Sequence, residues 1–148
     1  MNDDLRFMEE ALAEARLGLA EGGVPIGSVL VIDGKVVGRG HNRRVQEGSA
    51  ILHGEMDALR NAGRLPASAY ARATLYTTLS PCDMCTGAAL LFKIPRVVLA
   101  ENRTFQGAEG LLRSRGVEVV NLDLAEPVEL MRTFIARHPS VWNEDISV

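Results

Sequence analysis

The sequence predicts an α/β protein, a three-layer α/β/α sandwich around a five-stranded mixed sheet. Three observations lead there. The chain has 148 residues, 47% of them hydrophobic and 24% charged, which is enough to build one core without covalent staples. An Asp33-Gly34 pair stands between two apolar runs, a strong hairpin signal. The second half alternates short apolar runs with helical patterns, which implies crossover connections and helices on both faces of a sheet. The hairpin is antiparallel and the later strands are parallel, so the sheet is mixed.

The elements follow in order. Asp4 to about Glu21 reads as a helix, because Leu5, Met8, Leu12, Ala15 and Leu19 recur at helical spacing and Asn2 to Asp4 offer capping oxygens. Gly22-Gly23 and then Pro25 end it. Ile26 to Ile32 and Lys35 to Gly40 are the hairpin strands, and Asn42 to Ser49 is polar and irregular. A second helix runs from about His53 to Ala62 and closes at Gly63. Thr74 to Thr78 reads as a strand, and Pro81 to Phe92 as a helix with proline in its first turn. Arg96 to Ala100 is a strand, Gly110 to Arg115 a short helix, Glu118 to Leu122 a strand and Glu126 to Arg137 a helix. Pro139 to Val148 has no clear period. With no repeat, low-complexity tract or linker, residues 1–148 are read as a single domain.

Charge narrows the partners. Sixteen basic against nineteen acidic residues give a net charge of -3, and Arg43-Arg44 and the Arg113/Arg115 pair are too small to form a stripe for a phosphate backbone. No apolar run approaches the ~20 residues that span a bilayer. Met1-Asn2-Asp3-Asp4 is acidic and runs straight into a helix, so it is not read as a signal peptide. We expect a protein of a reducing, cytoplasmic setting that binds neither nucleic acid nor membrane.

The two cysteines, Cys82 and Cys85, stand three apart at a strand-to-helix junction. That spacing puts both sulfurs on one helix face, and a helix N-terminus favours thiolates. Two thiolates are half of a tetrahedral zinc site. Of the three histidines, His138 reads as a surface residue at a helix end and His41 as a loop-bonding residue closing the hairpin, whereas His53 opens a helix with Glu55 two residues on. His-x-Glu followed by Pro-Cys-x-x-Cys is the pattern of zinc nucleobase deaminases. His53, Cys82 and Cys85 are then the ligands of a zinc whose open fourth position takes an activated water, and Glu55 is the proton shuttle. Three other readings compete: a redox pair, half of a structural zinc site, and inert core cysteines. The absence of a second cysteine pair weakens the structural site.

The likeness extends beyond that motif. Glu21 to Gly27, Gly38 to Asn42, His53-Gly54-Glu55, Thr74 to Ala88, Ile94-Pro95-Arg96 and Trp142 to Ile146 resemble the fungal-type cytosine deaminases of the cytidine deaminase superfamily. The resemblance implies a cytidine deaminase-like fold and a homodimer with one zinc per subunit. The implied substrate is the free base cytosine, with 5-fluorocytosine also accepted, in pyrimidine salvage. It implies that Asn42 and the Gly54 N–H bind the ring edge, and that Asp145 and the Ser80 carbonyl face the departing amine. It further implies that Ile26, Leu79, Phe105 and Trp142 line or gate the pocket, with the C-terminal segment closing over it. Where the family leads us to expect a pocket phenylalanine, three residues after the asparagine, this chain has Val45; a smaller side chain there would widen the pocket. Alternative readings are a deaminase of a related small heterocycle such as isocytosine, a nucleoside deaminase, a tRNA adenosine deaminase and a non-catalytic zinc or redox module.

Overall fold

A computed structural model describes residues 3–148. The capping role expected of Asn2 lies outside the described residues. Helix α1 (Asp3–Ala20) leads into β1 (Gly27–Ile32) and β2 (Lys35–His41). Asp33 and Gly34 both take positive φ, 52° and 76°, the geometry of a two-residue hairpin turn whose twist matches its strands. Then come α2 (Arg44–Glu47), α3 (Gly54–Ala62), α4 (Ala67–Tyr70), β3 (Ala73–Thr77), α5 (Asp83–Leu91), β4 (Arg96–Leu99), α6 (Glu109–Ser114), β5 (Glu118–Asn121), α7 (Ala125–Arg137) and α8 (Pro139–Asp145).

The five strands form one sheet in the order β2-β1-β3-β4-β5. Strand β1 is antiparallel to both β2 and β3, while β3, β4 and β5 are mutually parallel. All strands except β1 therefore point the same way. Side-chain alternation divides the core into two layers. Val29, Val31, Tyr76 and Val98 meet Phe7, Met8, Ala11 and Leu12 of α1, with Leu130 of α7 alongside. Leu30, Ile32, Leu75 and Val97 meet Leu59 of α3, Ala89 of α5 and Leu112 of α6. Every residue of β1 is buried, as a strand covered on both faces requires. A third cluster, with Val24, Met131, Phe134 and Trp142, seats α7 and α8 over the ends of the strands.

Four details differ from the sequence reading. The stretch expected to be irregular contains α2, a single turn with no buried residue, ended by Gly48 at φ 60°. The short helix α4 also appears; its Tyr70 stacks on Phe92 at 4.8 Å. The tail folds as α8, seven residues with Pro139 in the first turn and an inward pair at Trp142 and Asp145, too short to show a period. Pro81 is not in the first turn of α5. Cys82 is the N-cap, with extended backbone, and the Pro81 carbonyl accepts from the Ala108 N–H at 3.2 Å, which holds it outside the helix.

Candidate active site

Strand polarity gathers the site at one edge of the sheet. Asn42 follows β2, Leu79 and Ser80 follow β3, Phe105 follows β4, and Ile26 precedes the reversed β1. Crevices outside the carboxyl ends of strands are where α/β sheets hold ligands. Helix α3 is drawn onto the sheet because Gly40 has no side chain: a Cβ there would stand 2.5 Å from the Ala58 nitrogen. That places His53 as the N-cap of α3 facing Cys82, the N-cap of α5. Neither side chain caps its own helix, so both are available to a ligand.

His53, Cys82 and Cys85 place their ligand atoms within 4.8 Å of one another. His53 Nδ1 is 3.3 Å from Cys82 Sγ and 3.7 Å from Cys85 Sγ. A tetrahedral zinc holds sulfur and nitrogen ligands roughly 3.6 Å apart, given typical bond lengths. The trio thus fits one zinc ion in spacing and in donor chemistry, and two helix N-termini favour its thiolates. The three groups also compete for protons. Cys82 is held down to about 4, first by the hydrogen bond from Cys85 and then, against its burial, by His53. Cys85 is pushed well up by that same hydrogen bond and by burial. Burial alone would lower His53, but the Cys82 hydrogen bond and the Asp145 and Glu55 charges carry it to about 9. A divalent cation would displace these protons.

Glu55 sits in the first turn of α3, 4% exposed, and lines the same cavity as His53 and Cys82. Burial raises its carboxyl to about 7, although the His53 charge opposes the shift. A carboxyl that exchanges its proton near neutrality suits acid and base duty in turn.

The cavity, of about 20 Å³, is lined by nine of the predicted residues: Ile26, His53, Glu55, Leu79, Ser80, Cys82, Phe105, Trp142 and Asp145. That is close to the space of one water, and a wider groove lined by His53, Cys82, Phe105 and Asp145 adjoins it. Phe105 and Trp142 form one wall, edge to face at 6.0 Å and 85°. Ile146 also lines the cavity; its only sequence signal is its place in the tail block Trp142 to Ile146. Three predicted residues stand behind the wall. Cys85 is buried beneath Cys82, and Gly54 packs on the strand ends, where a Cβ would lie 3.0 Å from the Ile26 carbonyl oxygen. Asn42 is fully buried, donating to Asp145 Oδ1 at 2.7 Å and accepting from the Arg44 N–H at 3.1 Å. Asp145 also reaches His53 Nε2 at 3.4 Å and Arg44 at 3.7 Å. Burial raises its carboxyl, opposed by the His53 charge and the Asn42 hydrogen bond.

One expectation is corrected and one is extended. Val45 is 49% exposed on α2 and lines an outer groove, not this cavity, so its small size does not widen the pocket. His41 does bond a loop, through Glu21, but it bonds helix α1 as well. It is wholly buried between Glu14 of α1 and Glu21 just beyond it, at 2.8 Å from each. His138 is exposed between α7 and α8, as expected.

Comparison with known proteins agrees with this geometry. The family model for the cytidine and deoxycytidylate deaminase zinc-binding region matches residues 1–101. The chain is 55% identical over 145 residues to the cytosine deaminase of Candida albicans, covering 97% of each protein. It is 38% identical over 144 residues to a tRNA-specific adenosine deaminase of Streptococcus pyogenes, covering 90% of this chain and 91% of that one. Among solved structures, one from studies of tRNA:A34 deaminases superposes with a TM-score of 0.68 at 32% identity, over 81% of this chain and 99% of that chain. A guanine deaminase from Nitrosomonas europaea shares the fold, with a TM-score of 0.71 at 24% identity over 88% of this chain and 83% of that one.

Proposed function

We infer the activity of this chain from its lineage: it belongs to the cytidine and deoxycytidylate deaminase family. The reaction is hydrolysis of the free base cytosine, and of 5-fluorocytosine, in which water replaces the C4 amine to give the uracil and ammonia. One observation carries the reading. A His-Cys-Cys donor set, two of whose members line a small cavity together with a buried carboxyl, stands in a chain 55% identical to a cytosine deaminase.

His53, Cys82 and Cys85 hold one zinc per subunit. Bound there, zinc supplies a water made nucleophilic near neutral pH. Glu55, within the same cavity, would carry one proton of the attacking water to N3 as the oxygen bonds to C4, and the proton of the new C4 hydroxyl to the amine as the C4–N bond breaks and ammonia leaves. Asn42, with the Gly54 N–H, reads the ring edge at N1 and O2. Asp145 and the Ser80 carbonyl receive the amine. Asn42 and Asp145 close on each other at 2.7 Å, and a base bound to both inserts between them. A base lacking the matching edge would leave these buried groups unpaired and be rejected. Ile26, Leu79, Phe105 and Trp142 are the walls that exclude water.

The active form is a homodimer working in the cytoplasm, in salvage of pyrimidine bases. No described helix is long and apolar enough to cross a membrane. The test is an ammonia-release screen of cytosine, 5-fluorocytosine, isocytosine, adenine, guanine, creatinine and cytidine, together with Glu55→Ala. Cytosine turnover in the wild type, and zinc retained but turnover lost in Glu55→Ala, are expected. Normal turnover by that variant would end the assignment of Glu55.

A further inference from the structure

We propose that Glu109 is a positioning residue for this reaction: through the Ser80 hydroxyl and the Gly107 amide it ties the loop carrying Phe105 to the turn carrying Cys82. It thereby sets the width of the cavity and the seat of the Ser80 carbonyl. The proposal rests on the activity inferred above.

Glu109 is 2% exposed, yet it lies outside the cavity and takes no part in the chemistry. Its Oε2 accepts the Ser80 hydroxyl at 2.6 Å, a short charge-assisted bond. Ser80 has one hydroxyl proton, and the carboxylate takes it. The remaining lone pairs accept the Gly107 N–H at 2.9 Å. The direction of the serine hydroxyl is therefore dictated by Glu109. Asn102 and Arg113 complete the carboxylate's partners, at 3.3 Å and 3.7 Å.

The backbone gives an independent sign that this junction is built for close approach. An ideal Cβ on Gly107 would lie 1.8 Å from the Pro81 carbonyl oxygen, so no side chain fits there. The loop's other end is fixed in the same manner. Glu101, fully buried, accepts the N–H groups of Arg103 at 2.7 Å and Thr104 at 3.0 Å. Phe105 stands between these two anchors, against Trp142. A slack anchor at Gly107 lets Phe105 swing and carries Trp142 with it, while His53, Cys82 and Cys85 keep their places on α3 and α5.

The experiment uses full-length, zinc-loaded Ser80→Ala, Glu109→Gln and the double variant. It measures KM and kcat for cytosine by ammonia release, zinc content, and the emission of Trp142, the chain's one tryptophan. Loss of one buried, charge-assisted bond should raise KM about tenfold in each single variant, with kcat within about threefold. Zinc content should hold, Trp142 emission should shift to the red, and the double variant should be no worse than either single one, because the groups act as a unit. A folded single variant with wild-type KM and emission overturns the proposal. So does a loss of kcat at unchanged KM, or loss of zinc. Unfolding of both single variants overturns it too, since the network would then serve stability instead of position. Wild-type protein that releases no ammonia from cytosine refutes the substrate assignment alone, and the emission and zinc readings still decide the role of Glu109.

Discussion

Replacing Asp145 by alanine should loosen the C-terminal helix and weaken catalysis by separable amounts. The Asp145 side chain is 3% exposed, and it is the acceptor for the Nδ2 group of a wholly buried Asn42 at 2.7 Å. Asp145→Ala leaves that amide buried without a partner, which costs about 1–3 kcal/mol. In a chain of this length each kcal/mol lowers the melting midpoint by about 2–4 °C, so a drop of roughly 4–8 °C is expected from the middle of that range. The catalytic loss is separate. A carboxylate hydrogen bond to the departing amine is worth about 1.5–3 kcal/mol, or roughly 10- to 150-fold in kcat/KM. Asp145→Asn divides the two effects. Its side-chain oxygen can still accept from Asn42, so most of the midpoint returns, but the charge is gone and activity stays low. Thermal melts and ammonia release, with zinc content as the control, read both. An Asp145→Ala protein as stable as the wild type would refute the account of Asn42, and a fully active Asp145→Asn would refute the need for a charge.

Other expectations follow from the same geometry. Asp4 is held below its usual range, first by its hydrogen bond from Arg96 and then, against burial, by Tyr76, so it stabilises the fold above the ordinary carboxylate range and loses that contribution as acid protonates it. Asp4→Asn should therefore cost about 1 kcal/mol near neutrality, seen in thermal melts, with the difference closing at strongly acidic pH. Val45→Phe should leave KM and the order of preferred bases unchanged in the ammonia-release screen, because position 45 lies outside the cavity; a changed order would place it at the site. Removing zinc with a chelator should abolish turnover and lower the melting midpoint, since the residues that would hold the ion stand at the starts of both α3 and α5, and re-addition should restore both; full activity after chelation would refute the metal's role.

Much of the site could be read directly from the chain because its chemistry is local. Cys82 and Cys85 are one helical turn apart, and His53 and Glu55 share a helix start. The hairpin was equally plain, because Asp-Gly names its own turn. What the sequence withheld depends on distant partners. Asn42 and Asp145 are 103 residues apart; the family resemblance puts both at one site, but the direct bond between them has no local signal. His41 reads as bonding a loop, which Glu21 bears out, but its second partner, Glu14 on α1, is 27 residues away and leaves no local signal. Pro81 suits both the first helical turn and the position before the cap, and only the Ala108 N–H on its carbonyl decides between them. Helix α8 was missed because seven residues with two inward side chains give no period to read.

The placement of Trp142 and Asp145 on the last helix has a consequence for synthesis and turnover. The histidine and its glutamate neighbour come from the first half of the chain, the sulfurs from the middle, and this pair from the final seven residues. A protein clipped or terminated before α8 keeps every metal donor and every strand but lacks one wall and one carboxylate of the cavity. Such a fragment would pass an assay for metal while failing one for catalysis. Turnover thus reports that the chain is intact to its end, which metal content alone does not.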